Sequence, residues 1–200
     1  KTGKTKALAI DVQSADLLKI DTPALVVNLF QGAKKPSGAT AAVDKALDGA
    51  ITQLIKDGEI KGSIAETTLI HTFGKIKPQR VLVLGLGSQD TFDTQVIRRV
   101  SAEAVRFLRR KAISSAVTIA HGEDIGGFDP ALSGQAIAEG THLGLYKFGS
   151  YMTKNGDSAN EFENLTVVGS DKSRVKAIDT GVRLGCMVAQ ASIKARNMVN

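Results

Sequence analysis

Short apolar runs alternate with stretches of helical periodicity along this chain of 200 residues. Apolar runs that contain β-branched residues predict strands, and apolar residues three and four positions apart predict amphipathic helices. The alternation of the two patterns is typical of an α/β fold in one domain, in which helices cover a sheet. The predicted strands are 7–12, 24–30, 67–72, 80–86, 115–120 and 165–168.

The predicted sheet is mixed. Only residues 73–79 separate the third and fourth predicted strands. A crossover between parallel strands needs a dozen or more residues, so these two strands are expected to pair antiparallel.

Three amphipathic helices are predicted from the spacing of apolar residues. The first runs from Val43 to Ile55 and ends at Asp57-Gly58, because glycine suits a left-handed helix cap. The second follows Thr91-Phe92-Asp93, which we expect to offer its N-cap. Its inward residues are Ile97, Val100, Ala104, Phe107 and Leu108. The last helix has an inward stripe formed by Val175, Ile178, Val182, Cys186, Ala189 and Ile193.

A further helical segment, 133–148, carries Gly134, Gly140 and Gly144. Each of these glycines costs up to about 1 kcal/mol in a helix interior. Glycine is tolerated there when another backbone must approach closely, so we expect such an approach along this helix.

Composition excludes several classes of protein. Hydrophobic residues make up 42% and charged residues 23%, which is typical of globular domains and excludes a disordered chain. The apolar stretch Ala24 to Phe30 is far shorter than the ~20 residues of a membrane span, so no membrane partner is expected. The single cysteine excludes a disulfide framework and a cysteine-based zinc site, and it fits a reducing, cytoplasmic compartment. Because the chain does not begin with Met, we expect a segment of a longer protein.

A glycine pair at the end of the fourth predicted strand, Gly85 and Gly87, resembles the opening of a nucleotide site. The third glycine of the dinucleotide motif and the Lys-Ser/Thr pair of a P-loop are missing. Asp90 and Asp93 would also place negative charge where a phosphate should lie. A tight turn is therefore favoured over a phosphate loop.

The sequence His121-Gly122-Glu123-Asp124 follows a predicted strand, where α/β proteins often place functional side chains. A metal needs three or four ligands, and nothing in the sequence ties His71 or His142 to this tetrapeptide. We expect a solvated loop here. Cys186 is expected to pack as a small apolar residue without a neighbouring base.

The strongest charge feature lies on the second predicted helix. Arg99, Arg106 and Arg110 share one outward face there and could contact phosphates. No aromatic residues interleave with them to stack on bases. A solvated face is favoured, followed by an interdomain or intersubunit ion-pair surface and then by nucleic-acid binding. The basic residues of this helix are Arg98, Arg99, Arg106, Arg109, Arg110 and Lys111.

An ordered set of short strings extends over nearly the whole chain. The strings are Ala24–Phe30, Leu47–Ile51, Gly58–Gly62, Gly74–Ile76, Arg80–Gly87, Ala138–Gly140, Leu143–Tyr146 and Ala195–Asn200. Taken in this order, they resemble the N-terminal domain of leucine aminopeptidases, also called cytosol aminopeptidases. The last string is similar to the hinge of that family, which leads into the peptidase domain.

The resemblance implies an α/β, macro-domain-like mixed sheet flanked by helices over residues 1–194. Residues 195–200 would begin the hinge to a catalytic domain absent from this chain. The implied parent is a hexameric metallopeptidase whose catalytic domain holds two divalent ions, manganese or zinc, that activate water against the first peptide bond. No catalytic, cofactor-binding or metal-binding residue is expected in this chain, which would be inactive alone.

The expected partners are the chain's own catalytic domain and further subunits, with peptide substrates in the parent. The domain would contribute to assembly and to access to the active site. The alternative is a module that binds nucleic acid through the Arg98–Lys111 helix, or ADP-ribose at the glycine pair.

Overall fold

The computed structural model describes residues 8–123, 125, 127–146 and 161–199. Within these residues, six strands form one sheet in the order β1-β6-β5-β2-β4-β3. The strands are β1 (Ala9–Gln13), β2 (Leu25–Phe30), β3 (Thr67–His71), β4 (Arg80–Gly87), β5 (Ser115–Ile119) and β6 (Asn164–Val168). The helices are α1 (Gly38–Ala46), α2 (Ala50–Lys56), α3 (Thr94–Arg110), α4 (Pro130–Leu145) and α5 (Lys172–Val199).

The sheet is mixed, as predicted. β3 pairs antiparallel with β4, with Thr67 opposite Leu84 and His71 opposite Arg80. The other neighbouring strands pair in parallel. The connection between β3 and β4 is too short for a parallel crossover, and the two strands are antiparallel as predicted.

Helices cover both faces of the sheet. On one face, Leu25 and Val27 of β2 pack with Val43 of α1 and Ile51 of α2. On the other face, Val26 of β2 belongs to the core formed with α3, α4 and α5. Successive residues of a strand point to opposite faces, and β2 is apolar on both, so it is buried on both sides. The result is a three-layer α/β/α arrangement.

The helix predicted from Val43 to Ile55 is two helices, and the prediction of one continuous helix is wrong. The chain turns at Asp48 and Gly49, whose φ angles are 57° and 81°. The carboxylate of Asp44, in α1, accepts hydrogen bonds from the N–H groups of Ile51 at 2.7 Å and Thr52 at 3.0 Å. The side chain of one helix thus caps the first turn of the next. The predicted stop at Asp57-Gly58 is confirmed.

The helix α4 lies between α3 and α5, and its glycines make that packing possible. A Cβ atom at Gly134 would collide with the backbone carbonyl of Ile178 in α5, and one at Gly140 with that of Arg98 in α3. At Gly144 it would lie 2.7 Å from the Cα of Ala102. The predicted close approach of neighbouring backbones is confirmed. Within the described part of the chain, no helix is both long and apolar enough to span a bilayer.

Candidate functional site at the carboxyl edge of the sheet

When the connections that follow two neighbouring strands run to opposite faces of a sheet, a crevice forms between them at the carboxyl ends of the strands. Many α/β proteins bind their ligands in such a crevice. Here the connection after β2 leads to α1, on one face. The connection after the neighbouring β5 leads to α4, on the other face. The residues at this point include Phe30 at the end of β2 and His121-Gly122 after β5.

Three phenylalanine rings pack together at this edge. Phe30 meets Phe92 edge to face, with the ring centroids 5.3 Å apart, and Phe92 lies 5.1 Å from Phe128. Gly122, at φ 93°, adjoins the rings so closely that a Cβ would lie 2.9 Å from Phe92 and 3.1 Å from Phe128. The rings therefore fill the space beside Gly122 at this edge of the sheet. The cluster is hard to predict from the sequence, because the three residues come from three separate loops or strand ends.

His121 immediately precedes Gly122 and is 2% exposed. The Nδ2 of Asn28 donates to its Nδ1 over 3.2 Å, which assigns the ring proton of the neutral histidine to Nε2. Burial lowers the pKa of His121 to about 4, so the ring is neutral near pH 7. The carbonyl of His121 also accepts a hydrogen bond from the Oγ of Ser133 at 2.8 Å.

The prediction of a solvated loop is therefore wrong for His121, whose side chain is part of the core. The chain stays buried for two residues beyond the end of β5, at Ala120 and His121. Asp124, the last residue of that tetrapeptide, lies outside the described residues. His71 ends β3 and is exposed, and His142 lies in α4, where burial lowers its pKa.

The glycine pair of β4 is not a turn, and that prediction is wrong as well. β4 continues through Gly87, and both glycines pair with the segment 62–66. The N–H of Gly85 donates to the carbonyl of Glu66 at 2.8 Å, and the N–H of Gly87 donates to that of Gly62 at 2.9 Å. Because these two donors are used within the protein, they are not available to a phosphate.

The basic helix α3 uses its arginines to hold α4. Arg98 is ion-paired with Glu139, a carboxylate that is 7% exposed. Arg106 donates to the carbonyl of Gly144 at 3.2 Å, and Arg109 donates to that of Leu145 at 3.3 Å. These three arginines fasten the carboxyl-terminal half of α4 to α3. On the predicted outward face, Arg99 and Arg110 are exposed as expected, whereas Arg106, whose side chain is 43% exposed, also bonds to α4.

The other basic residues of α3, which are Arg99, Arg110 and Lys111, are exposed to solvent. Arg110 and Arg106 share the carboxylate of Glu103, at 2.8 Å and 3.2 Å. Burial raises the pKa of Glu103, but the two guanidinium groups outweigh burial and hold that pKa below its usual value. Arg99 is exposed, and Lys111 lies 5.8 Å from the ring centroid of Phe107. The pairing within the domain leaves α3 a weak candidate for contacting a nucleic-acid backbone.

The helix α5 presents a second stripe that sequence analysis overlooked. Its inward stripe is buried at Ile178, Val182 and Ala189, as predicted. On its outer side, Leu184 is 46% exposed and Met187 is 62% exposed. The outer apolar stripe, as we call it, consists of Leu184, Met187, Val188, Ala191, Ala195 and Met198. Its spacing of three and four residues could have been read from the sequence.

Two candidate chemical functions receive no support from this geometry. Cys186 is half-buried, and burial raises the pKa of its thiol, so the reactive thiolate is disfavoured. Among the residues described, His, Cys, Asp and Glu form no group of three that could hold a metal ion.

Comparison with known families gives a match over residues 26–155, to the N-terminal domain of the cytosol aminopeptidase family. A probable cytosol aminopeptidase of Alkaliphilus oremlandii is 32% identical over 193 residues. That alignment covers 96% of this chain and 38% of the relative. A probable cytosol aminopeptidase of Geobacter sulfurreducens is 28% identical over 195 residues, with the same coverage of both chains. This chain thus spans about two-fifths of the length of these relatives.

Solved structures share the fold at lower sequence identity. A mutant of tomato leucine aminopeptidase superposes with a TM-score of 0.78 at 14% identity, covering 100% of this chain and 40% of that one. The macrodomain of Mycobacterium tuberculosis DarG superposes with a TM-score of 0.60 at 18% identity, covering 82% of this chain and 100% of that one. The predicted macro-domain-like fold is confirmed.

Proposed function

Because the chain belongs to the cytosol aminopeptidase family as its N-terminal domain, we propose that it is the non-catalytic scaffold domain of a metal-dependent leucyl aminopeptidase. The parent would remove N-terminal amino acids from peptides. In this proposal the parent's pair of divalent ions, manganese or zinc, lies in the catalytic domain, together with the peptide-cleaving residues.

The outer apolar stripe of α5 is the observation that supports this role. Met198 is 85% exposed and Val188 is 41% exposed, on a helix that is firmly attached to α4 by its other side. Gly181 and Gly185 allow that attachment, since a Cβ at either would collide with the backbone of α4. We propose that the catalytic domain covers the stripe, with residues 1–194 as the scaffold domain and 195–200 as the start of the hinge.

We further propose that the domain acts within a cytoplasmic homo-oligomer, a hexamer in the parent, and helps to control access of peptides to the active site. The name of the relatives, cytosol aminopeptidase, supports the compartment.

Substitutions in the stripe test the docking role in the full-length parent. The double variant Leu184→Asp with Met187→Asp should disrupt apolar packing between the domains. We expect a lower melting temperature, and a smaller assembled fraction in analytical ultracentrifugation. Gln190→Asp is the matched control, because Gln190 is exposed on the same helix and is not in the stripe. If the stripe variant assembles and melts like the parent protein, α5 is not the docking surface.

A further inference from the structure

A basic groove lies between the loop that follows β2 and the carboxyl-terminal end of α2. Its volume is about 610 Å³, and it shares no lining residue with the phenylalanine-filled crevice. Three short segments supply its walls: 31–35, then 55–56 with Gly58, and 60–61. The side chains that determine its character are Lys34, Lys35, Lys56, Lys61, Ile55 and Ile60.

The four lysines bring positive charge together from all three segments. No carboxylate side chain is among the described residues that line the groove. None of the four ammonium groups is within 4 Å of a described carboxylate, whereas Lys75 lies 2.6 Å from Asp48 and Lys19 lies 3.2 Å from Asp16. Like charges gathered without a counter-charge repel one another, so an anion in the groove would lower the energy of this arrangement.

Two nearby carboxylates are engaged elsewhere. One oxygen of Glu66 accepts hydrogen bonds from the N–H groups of Lys61 at 2.9 Å, Gly62 at 2.7 Å and Ser63 at 3.2 Å. The carboxylate of Asp57 accepts a hydrogen bond from the Nε2 of Gln53 at 2.9 Å. Glu59 is exposed and follows Gly58 in sequence, but its side chain does not line the groove. None of these three carboxylates forms an ion pair with one of the four lysines.

The shape of the groove restricts its ligand to a compact one. Its volume falls in the range of small-molecule sites, roughly 300–1,000 Å³. Ile55 and Ile60 supply an apolar side, and none of the described residues that line the groove is aromatic and able to stack on a base. No atom of a described residue lies within 4 Å of where a Cβ would stand at Gly32 or Gly58, so the backbone there is open to a ligand. We propose that this groove binds a compact oligophosphate, held by the four lysines.

Calorimetric titration of the 200-residue chain with tripolyphosphate tests the proposal. We expect one saturable site whose affinity falls steeply between 50 and 200 mM salt, because the contacts are between charges. Lys56→Gln with Lys61→Gln should weaken binding by about tenfold or more, since two of the four cations are removed. The control, Lys172→Gln with Lys176→Gln, makes the same change of charge at exposed positions of α5 and should bind as the original chain does.

Circular dichroism of both variants checks that they fold, which exposed lysine substitutions should permit. Absence of saturable binding at 50 mM salt would overturn the proposal, and so would an equal loss of affinity in the control variant. A single-stranded oligonucleotide forms the second arm of the test. We expect it to compete poorly with tripolyphosphate, and tighter binding of the oligonucleotide at this groove would overturn the assignment to a compact ligand.

Discussion

The guanidinium of Arg98 in α3 is paired with the buried carboxylate of Glu139 in α4, beside the glycine that lets the two helices touch. The pair is further connected on both sides. Gln135 donates to the second oxygen of Glu139 at 2.7 Å, and Arg98 donates to Thr94 at 3.1 Å. The charge pair and the close backbone contact thus fix the position of α4 on α3.

Removal of the carboxylate should destabilise the domain. Glu139→Ala leaves the guanidinium of Arg98 without its carboxylate partner. Because the Arg98 side chain is 28% exposed, water reduces the free-energy cost of leaving this charge unpaired. We expect the free energy of unfolding to fall by about 1–3 kcal/mol in urea denaturation. Asp179→Ala is the control, because Asp179 pairs with Arg183 at an exposed position and should cost less than about 0.5 kcal/mol. Equal effects in the two variants would contradict the assignment of α4's position to the buried pair.

A methyl group at Gly140 should separate the two helices. It would meet the backbone of Arg98, which cannot move aside as a flexible side chain could. Gly140→Ala is expected to lower the free energy of unfolding by about 1–3 kcal/mol or more, despite alanine's better helix propensity. Gly74→Ala provides a comparison at an open position, where only the φ of 81° opposes alanine, at a cost of roughly 1–2 kcal/mol. A Gly140→Ala variant as stable as the original chain would show that the helices are not in backbone contact.

The cap that Asp44 provides to α2 should be measurable. Asp44→Ala removes the acceptor for the N–H groups of Ile51 and Thr52, so thermal denaturation should report a loss of about 1–2 kcal/mol. Asp57→Ala, at the exposed end of the same helix, should change stability by less than about 0.5 kcal/mol. If the two variants melt alike, the connection between α1 and α2 does not depend on this carboxylate.

The buried His121 makes stability depend on pH in a defined direction. Its pKa is about 4 in the folded state and near 6.5 when unfolded, so the unfolded chain binds more protons between these values. Stability should therefore fall as pH decreases from about 6.5 to 4, by an amount on the order of 3 kcal/mol from this group. The lowered pKa of His142 acts in the same direction.

Urea denaturation at pH 7.5 and 4.5 measures this dependence. His121→Asn should be less stable at pH 7.5 and should lose much of the decrease on acidification. His71→Asn, which changes an exposed histidine, should keep the full decrease. A decrease that is the same in all three proteins would mean that His121 is not the source.

The sequence was sufficient for features that depend on local spacing. The short connection between His71 and Arg80 determined the antiparallel pair, and the glycines of α4 indicated close backbones before any neighbour was known. The outer apolar stripe of α5 could have been found in the same way. The break between α1 and α2 at Asp48 could not be predicted from the apolar pattern, because both helices bury residues in the same core and the spacing of those residues runs on through the break.

Features that depend on distant contacts could not be read from the sequence. The burial of His121 depends on Asn28, which is 93 residues away in the chain. The cluster of Phe30, Phe92 and Phe128 and the pairing of Arg98 with Glu139 also join separate segments. The glycine pair of β4 looked like a turn because the strand-forming partner, the segment 62–66, lies earlier in the chain without an apolar pattern of its own.

The central claim, that this domain supports a peptidase without performing its chemistry, is tested most directly by an activity assay. The purified 200-residue chain is incubated with leucine p-nitroanilide and Mn²⁺, and in parallel with Zn²⁺, beside the full-length parent. We predict hydrolysis by the parent and none by the chain above the rate with the metal alone. Metal-dependent turnover by the chain itself would contradict the account.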